Sequence, residues 1–308
     1  MTKDKKSRFS IKHLPSLIKQ AGIAWNLDDP WRLSAVVAYY AILSLPGLLV
    51  VIITMLSYIF GTEMIEGEIY SEIETAMGEE AAKSVSSIMK NSRIGEGSWI
   101  GTIVGISALV FGATGVFFHL QISINKIWQV QSEPQKKFVR FLIDRTRSFG
   151  FVLAIGFLLL ISFVISALLR VLQDYINQWM PEIAFYILYV AEIVISLGVI
   201  SLLFALIFKY LPDVHIGWRS VWVGSIITAV LFTIGKEVLT YYFGKADPGN
   251  VYGTAGSIVI ILLWVSYSCW ILFFGAEFTW IYTKRYGYKF KPKSHAKLTS
   301  EGKHEESS

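Results

Sequence analysis

The sequence predicts an all-α fold, a polytopic membrane bundle of six transmembrane helices with both termini cytoplasmic. Three observations predict it. The stretch from Gly253 to Thr283 holds a single charged side chain, Glu277, and Lys284 and Arg285 follow at once. About 20 apolar residues at 1.5 Å rise cover the hydrocarbon core, so this stretch is long enough to cross a bilayer as a helix. Five further apolar blocks accompany it, and the basic residues collect between blocks in a pattern that follows topology. The blocks are too long and too uniformly apolar for the ~10-residue alternating strands of a closed barrel.

The elements follow in order. Residues 1–32 form a cytoplasmic N-terminal segment, in which Phe9, Leu14, Leu17, Ile18, Ala21 and Trp25 recur at helical spacing, with Lys12 and Lys19 elsewhere on the surface. Two readings of 9–25 stand: an interfacial amphipathic helix on the inner leaflet, its bases facing anionic headgroups, or a helix packed under the bundle. A six-helix transmembrane domain then occupies 33–285, with spans at about 33–60, 99–118, 148–169, 183–208, 217–243 and 253–283. Between the first two spans, 61–98 reads as an external helical hairpin with an apolar stripe through Ile65, Ile69, Ile73, Val85, Ile88 and Met89, divided at Gly78. That stripe can cap the bundle, enter the outer leaflet or meet a partner. Segment 119–147 continues the second span through His119, Asn125 and Trp128, turns at Glu133-Pro134 and returns through a basic stretch. Residues 286–308 are polar and are expected to form a disordered cytoplasmic tail.

Charge sets the orientation. Residues 1–32 carry seven Lys/Arg, 119–147 six, and the tail from Lys284 seven, whereas 61–98 holds eight Glu against three bases. On the positive-inside rule the basic segments are cytoplasmic. The net charge of +5 therefore gives no case for nucleic acid. Cys269, the one cysteine, excludes an intramolecular disulfide. The first apolar block starts too late and runs too long for a cleaved signal sequence and is expected to act as an uncleaved signal-anchor.

A charge at the bilayer centre costs about 2.5–3.5 kcal/mol on insertion scales, which makes each intramembrane charge a candidate site. Glu192 lies in the outer half of the fourth span, Lys236 and Glu237 near the outer end of the fifth, and Arg170 at the end of the third. They can line a polar cavity that handles a charged substrate or a proton, or they can form ion pairs with Lys236 and Arg170 snorkelling. Glu277 shares a helical face with Ser266, Trp270, Phe273 and Phe274. It can line a path, or pair with Arg145 or Arg147. Pro46 in Ser44-Leu45-Pro46-Gly47 removes a helical hydrogen bond and is expected to kink the first span, a feature of transporter helices and of plain packing alike. Gly101 with Gly105, Gly253 with Gly256, and Gly275-Ala276 permit close helix approach.

The sequence holds no Walker A motif, no HExxH or clustered metal-ligand spacing among its five histidines, and no GxSxG. No catalytic residue, cofactor or metal is expected, and the chain does not read as an enzyme.

Several runs of residues resemble a known family. Asp29-Pro30, Leu33-Ser34-Ala35, Tyr39-Tyr40-Ala41 and Leu43-Ser44-Leu45-Pro46 look like the first span of the YihY/BrkB family of bacterial inner-membrane proteins. Asn125-Lys126-Ile127-Trp128, Tyr210-Leu211-Pro212, Trp218-Arg219 and Gly224 fit as well. Tyr252 to Ser257, Leu262-Leu263-Trp264 and Gly275-Ala276-Glu277 are the most specific, and the likeness runs over about residues 20–285. The resemblance implies six membrane helices, a bacterial cytoplasmic-membrane location and a link to envelope integrity or to transport of lipids or other solutes. Its older label, ribonuclease BN-like, finds no metal-ligand motif here. Two functions stay open: a transporter of a lipid or other amphipathic or small solute, and a non-transporting envelope scaffold. Membrane lipids are the expected partners. Self-association and an envelope protein partner are also open.

Overall fold

The computed structural model describes residues 11–60, 62–92, 99–132, 181–246, 252, 255–286 and 290–299, and these are mostly helical. A 3-10 turn at Ile11–His13 leads into α1 (Leu14–Leu27). After Asp28 and Asp29, α2 runs from Pro30 to Phe60. Asp29 takes a left-handed φ of 57°, and Pro30 holds the first helical position, where its missing N–H leaves no bond unmade. Pro46 lies within α2 and faces outward; the helix continues through it and is not interrupted there.

Residues 62–92 form two helices. Helices α3 (Thr62–Met77) and α4 (Glu79–Ser92) meet at Gly78. Gly78 has φ 89°, and a Cβ there would lie 2.9 Å from Thr240 Cγ2, so both backbone and space select glycine. Helix α5 (Trp99–Ile127) contains the 99–118 block and carries on past it. Helices α6 (Pro181–Tyr210), α7 (Trp218–Ala246) and α8 (Gly256–Arg285) complete the set. Among the described residues four segments are long and apolar enough to cross a membrane: Pro30–Leu49, Ile193–Tyr210, Trp218–Ala246 and Gly256–Arg285. The expected third span, 148–169, lies outside the described residues, as do Arg145, Arg147 and Arg170.

The chain forms two compact units. The first comprises Met1–Ile23, Asn125–Val230 and Phe274–Ser308. In it Leu17 and Ala21 of α1 are fully buried against Phe278 and Tyr282 of α8 and the following Tyr286. Removing a leucine side chain from water is worth about 1.5–3 kcal/mol, so this contact fixes α1 under α8, as the packed reading of 9–25 anticipates. Short strands supply the remainder. β1 (Val130–Ser132) pairs antiparallel with β4 (Ala296–Leu298), and β2 (Val214–Ile216) with β3 (Phe290–Pro292). Within the segment read as a tail, Phe290–Pro292 and Ala296–Leu298 are thus paired strands. Their backbone N–H and C=O groups find partners on two loops, which a polar composition does not reveal.

The second unit comprises Ala24–Ile124 and Leu231–Phe273. Here the stripe of the α3–α4 hairpin is spent on the unit's own helices. Val85 and Met89 pack with Leu49 and Ile261, and Ala81 with Phe243 and Ile260. This is the capping arrangement. Glycines bring α5 against α2: a Cβ on Gly112 would lie 2.6 Å from Ser44, and one on Gly115 2.0 Å from the Tyr40 ring. Where lipid provides no hydrophobic drive for association, such close approach is what joins helices.

Candidate functional site

In the first unit, a buried carboxylate gathers three chain segments. Asp213, in the loop between α6 and β2, is 1% exposed. Asn125, in the last turn of α5, grips it from two sides: its Nδ2 donates to Asp213 Oδ2 at 3.0 Å, and its Oδ1 accepts from the Asp213 backbone N–H at 2.8 Å. The Ser132 hydroxyl donates to the same Oδ2, and His295 Nε2 meets Oδ1 at 3.0 Å. Lys293 adds a backbone N–H to the Asp213 carbonyl at 2.9 Å and its Nζ to the Pro212 carbonyl at 2.6 Å. Burial alone would raise the carboxyl's pKa. The hydrogen bonds from Ser132, His295 and Asn125 outweigh it and hold the group below its ordinary range. The cluster works as a fastening: it clips residues 293–295 onto the loops that follow α5 and α6.

Three residues beyond Asn125, the fully buried Trp128 donates its indole N–H to the Ala276 carbonyl of α8 at 2.9 Å. Next to it α7 and α8 cross with reciprocal geometry. A Cβ on Gly224 would fall 1.8 Å from Thr279 Oγ1, and one on Gly275 1.9 Å from Thr228 Oγ1. Each helix thus presents glycine and, four residues on, threonine, and each threonine fills the space over the other helix's glycine. Both hydroxyls turn back to their own helix, Thr228 to the Gly224 carbonyl and Thr279 to the Gly275 carbonyl, each at 2.7 Å. Neither polar group is left unmet in the apolar contact.

Glu277 sits between Gly275 and Thr279 on α8 and is 2% exposed. Lys284, two turns further on, interacts with it electrostatically and lies 4.2 Å over the Trp280 ring. Ser220 and Ser225 on α7 are fully buried, and their hydroxyls have no hydrogen-bond partner among the described residues. Glu277 lies on the face of α8 opposite Gly275 and Thr279, away from the crossing, and it and the two serines lie within segments of membrane-crossing length.

A family model described as Virulence factor BrkB matches residues 24–299. The chain belongs to the BrkB family. Among its relatives, a UPF0761 membrane protein of Alteromonas mediterranea is 25% identical over 244 residues, covering 79% of each chain. One of Stenotrophomonas maltophilia strain K279a is 27% identical over 248 residues, covering 80% of this chain and 55% of the relative. This chain therefore spans about half the length of the latter. No solved structure matches. Relatives named as membrane proteins, together with the apolar helices, make this BrkB-family chain a multi-pass membrane protein.

The residues that carry the BrkB resemblance include the fasteners of the first unit: Asn125, Trp128, Pro212, Gly224, Gly275 and Ala276. The other candidates separate. Trp270 belongs to the second unit, where its indole donates to Ser34 Oγ at 2.7 Å and its carbonyl accepts from the Trp25 indole at 3.0 Å. Trp31 stacks edge-on against it at 4.4 Å. Ser266 lies one turn earlier and is half-buried. Lys236 and Glu237 lie 3.5 Å apart, with Glu237 exposed. Glu192 is on α6, and its side chain lies outside the described residues. Among the described residues no group of three or more His, Cys, Asp or Glu could hold a metal ion. Sequence reading missed Asp213 and His295. A lone Asp after Pro212 looks like an ordinary turn residue, and its partners are 81–88 positions away. Gly275 was legible as a site of close helix approach, but Thr228 and Thr279, which fill the space over the facing glycines, were not.

Proposed function

We propose that this protein is a transporter of a lipid or other amphipathic or small solute in the bacterial cytoplasmic membrane, and not an enzyme. The observation that carries the reading is Glu277, a carboxylate buried within a helix of membrane-crossing length. An ionisable group in that setting is costly, and such groups commonly mark substrate or proton paths. The Ser220 and Ser225 hydroxyls, without a hydrogen-bond partner among the described residues, add polar groups that a proton carrier or headgroup can use. Glu192, in the same unit as Glu277, is the further candidate. The alternative, a scaffold acting through the α3–α4 hairpin, is less favoured because the hairpin's apolar stripe is already covered by Leu49, Phe243 and Ile261.

The test is leaflet-to-leaflet movement of a fluorescent phospholipid in liposomes holding the purified protein, with Glu277→Gln and Glu192→Gln beside it. Protein-dependent movement that drops in Glu277→Gln, at unchanged melting temperature and reconstitution yield, supports the reading. A rate no higher than that of empty liposomes sinks the lipid version. A Glu277→Gln protein that is as active as the parent removes the carboxylate from the mechanism.

A further inference from the structure

Where α6 hands over to α7, two bases bracket the top of an exposed apolar stripe, all within the first unit. Lys209, in the last turn of α6, reaches across to the start of α7. Its Nζ donates to the Ile216 carbonyl at 2.5 Å and lies 5.3 Å over the Trp218 ring. Tyr210 meets the same ring edge-on at 6.3 Å, and both aromatics are exposed. Arg219 follows and is exposed as well. At about 100° per residue, Trp218 and Arg219 stand at the two margins of one face of α7. Trp222 and Ile226 fall between those margins one and two turns deeper, and Val230 falls about 20° past the Arg219 margin a turn further on. All three are exposed. Ala229, near the Trp218 margin, is buried, so the stripe leans to the Arg219 side as it deepens. Val221, Gly224, Ser225 and Thr228 are buried on the other side of the helix.

We infer that this face of α7 seats one anionic phospholipid of the leaflet on the basic side of the membrane. Its phosphate lies between Lys209 and Arg219, and an acyl chain runs along Trp222, Ile226 and Val230. Charge selects the occupant. From 193 to 230 the one acid is Asp213, and it is buried under Ser132, His295 and Asn125. An ammonium has three donors and a guanidinium five, and both suit phosphate oxygens. Basic groups between membrane helices on the cytoplasmic side are a recurrent setting for anionic headgroups. The stripe supplies the rest. Exposed Trp218 and Tyr210 mark the interface, and Trp222 to Val230 spans about 12 Å, close to one leaflet's share of a ~30 Å hydrocarbon core. A second copy packed about an axis along the membrane normal fits less well, because it sets these bases against the same bases of its mate. The inference is independent of transport, since a scaffold can carry the same lipid.

The experiment places the full chain in phosphatidylcholine vesicles holding a trace of phosphatidylglycerol or phosphatidylcholine with a diazirine in the acyl chain. Cross-links are mapped after illumination. Expected is labelling of 222–230 several-fold higher from phosphatidylglycerol than from phosphatidylcholine. Lys209→Gln with Arg219→Gln should bring the two to equality at unchanged melting temperature, and Lys209→Arg with Arg219→Lys should keep the preference. Lys12→Gln with Lys19→Gln removes two exposed bases elsewhere and should leave it intact. Equal labelling in the parent protein overturns the inference without any variant having to fold. No labelling of 222–230 from either lipid also overturns it, because protein then covers the face. A preference that survives loss of Lys209 and Arg219, or falls equally without Lys12 and Lys19, overturns the headgroup assignment. A preference abolished by excess glycerol phosphate overturns the lipid in favour of a soluble phosphate.

Discussion

At Asp213 two opposed contributions meet: burial raises the carboxyl's proton affinity, and hydrogen bonds from Ser132, His295 and Asn125 lower it by more. The folded pKa is thus below the unfolded one. A group of that kind adds stability that is complete above the unfolded carboxylate value, near 3.9, and is lost as pH falls through the lower folded value. The clip over Asp213 is therefore expected to hold at neutral pH and to fail only in strong acid. Protease cleavage within 290–299 should rise there, and Asp213→Asn should blunt that rise. Asp213→Ala strips the acceptor from three donors at once. Hydrogen bonds to charged groups are worth about 1.5–3 kcal/mol each, and they are not additive within one network. A loss of roughly 3 kcal/mol follows, measurable as a lowered unfolding midpoint in detergent. His295→Ala should cost less, because its side chain is 28% exposed and water can take its place. None of this was legible from the sequence. Asp213 lies in a short loop, His295 lay in a segment read as tail, and nothing local announces a pairing across 82 positions.

Among the elements, the α7–α8 crossing is the most demanding contact in the first unit. Adding a single methyl at Gly275 puts carbon 1.9 Å from Thr228 Oγ1, so the helices must move apart or Thr228 must turn. Overpacking of this kind costs about 1–3 kcal/mol. Gly275→Ala is therefore expected to lower the melting temperature. Adding Thr228→Ala removes the obstructing atoms, and the double variant should recover most of the loss. If the two losses simply add, the reciprocal glycine–threonine contact is not what holds the helices. Elements of this kind were largely legible. The apolar blocks located α2, α6, α7 and α8 to within a few residues and the start of α5, and Gly78 divided the hairpin where φ requires glycine. The strands were not legible. Each is three residues long, too short for an alternation pattern, and each exists only because another loop offers it backbone partners.

For the whole molecule, composition told more than any motif did. Length and apolarity gave membrane-crossing helices, and four such segments stand among the described residues. Side-to-side orientation rests on charge alone: eight Glu in 61–98 against the bases of 1–32, 119–147 and the tail. That distribution has a testable consequence. Translocating short basic loops is unfavourable, whereas acidic residues hardly resist it, so the α3–α4 hairpin should face away from the cytoplasm and 290–299 toward it. Ser87 on α4 and Ser294 in the clip are both exposed, and each accepts a cysteine with little change in volume. The intrinsic Cys269 is buried and offers no competing thiol. In intact bacteria a membrane-impermeant maleimide should label Ser87→Cys at once, and should label Ser294→Cys only after the membrane is broken. The opposite pattern inverts the orientation. Labelling of both in intact cells is incompatible with placing the hairpin and the clip on opposite sides. Since Ser87 and Ser294 are separated in sequence by the apolar lengths of α5, α6, α7 and α8, that result would require an even number of crossings between them. The expected five spans from 99 to 283 would then have to include one that does not cross.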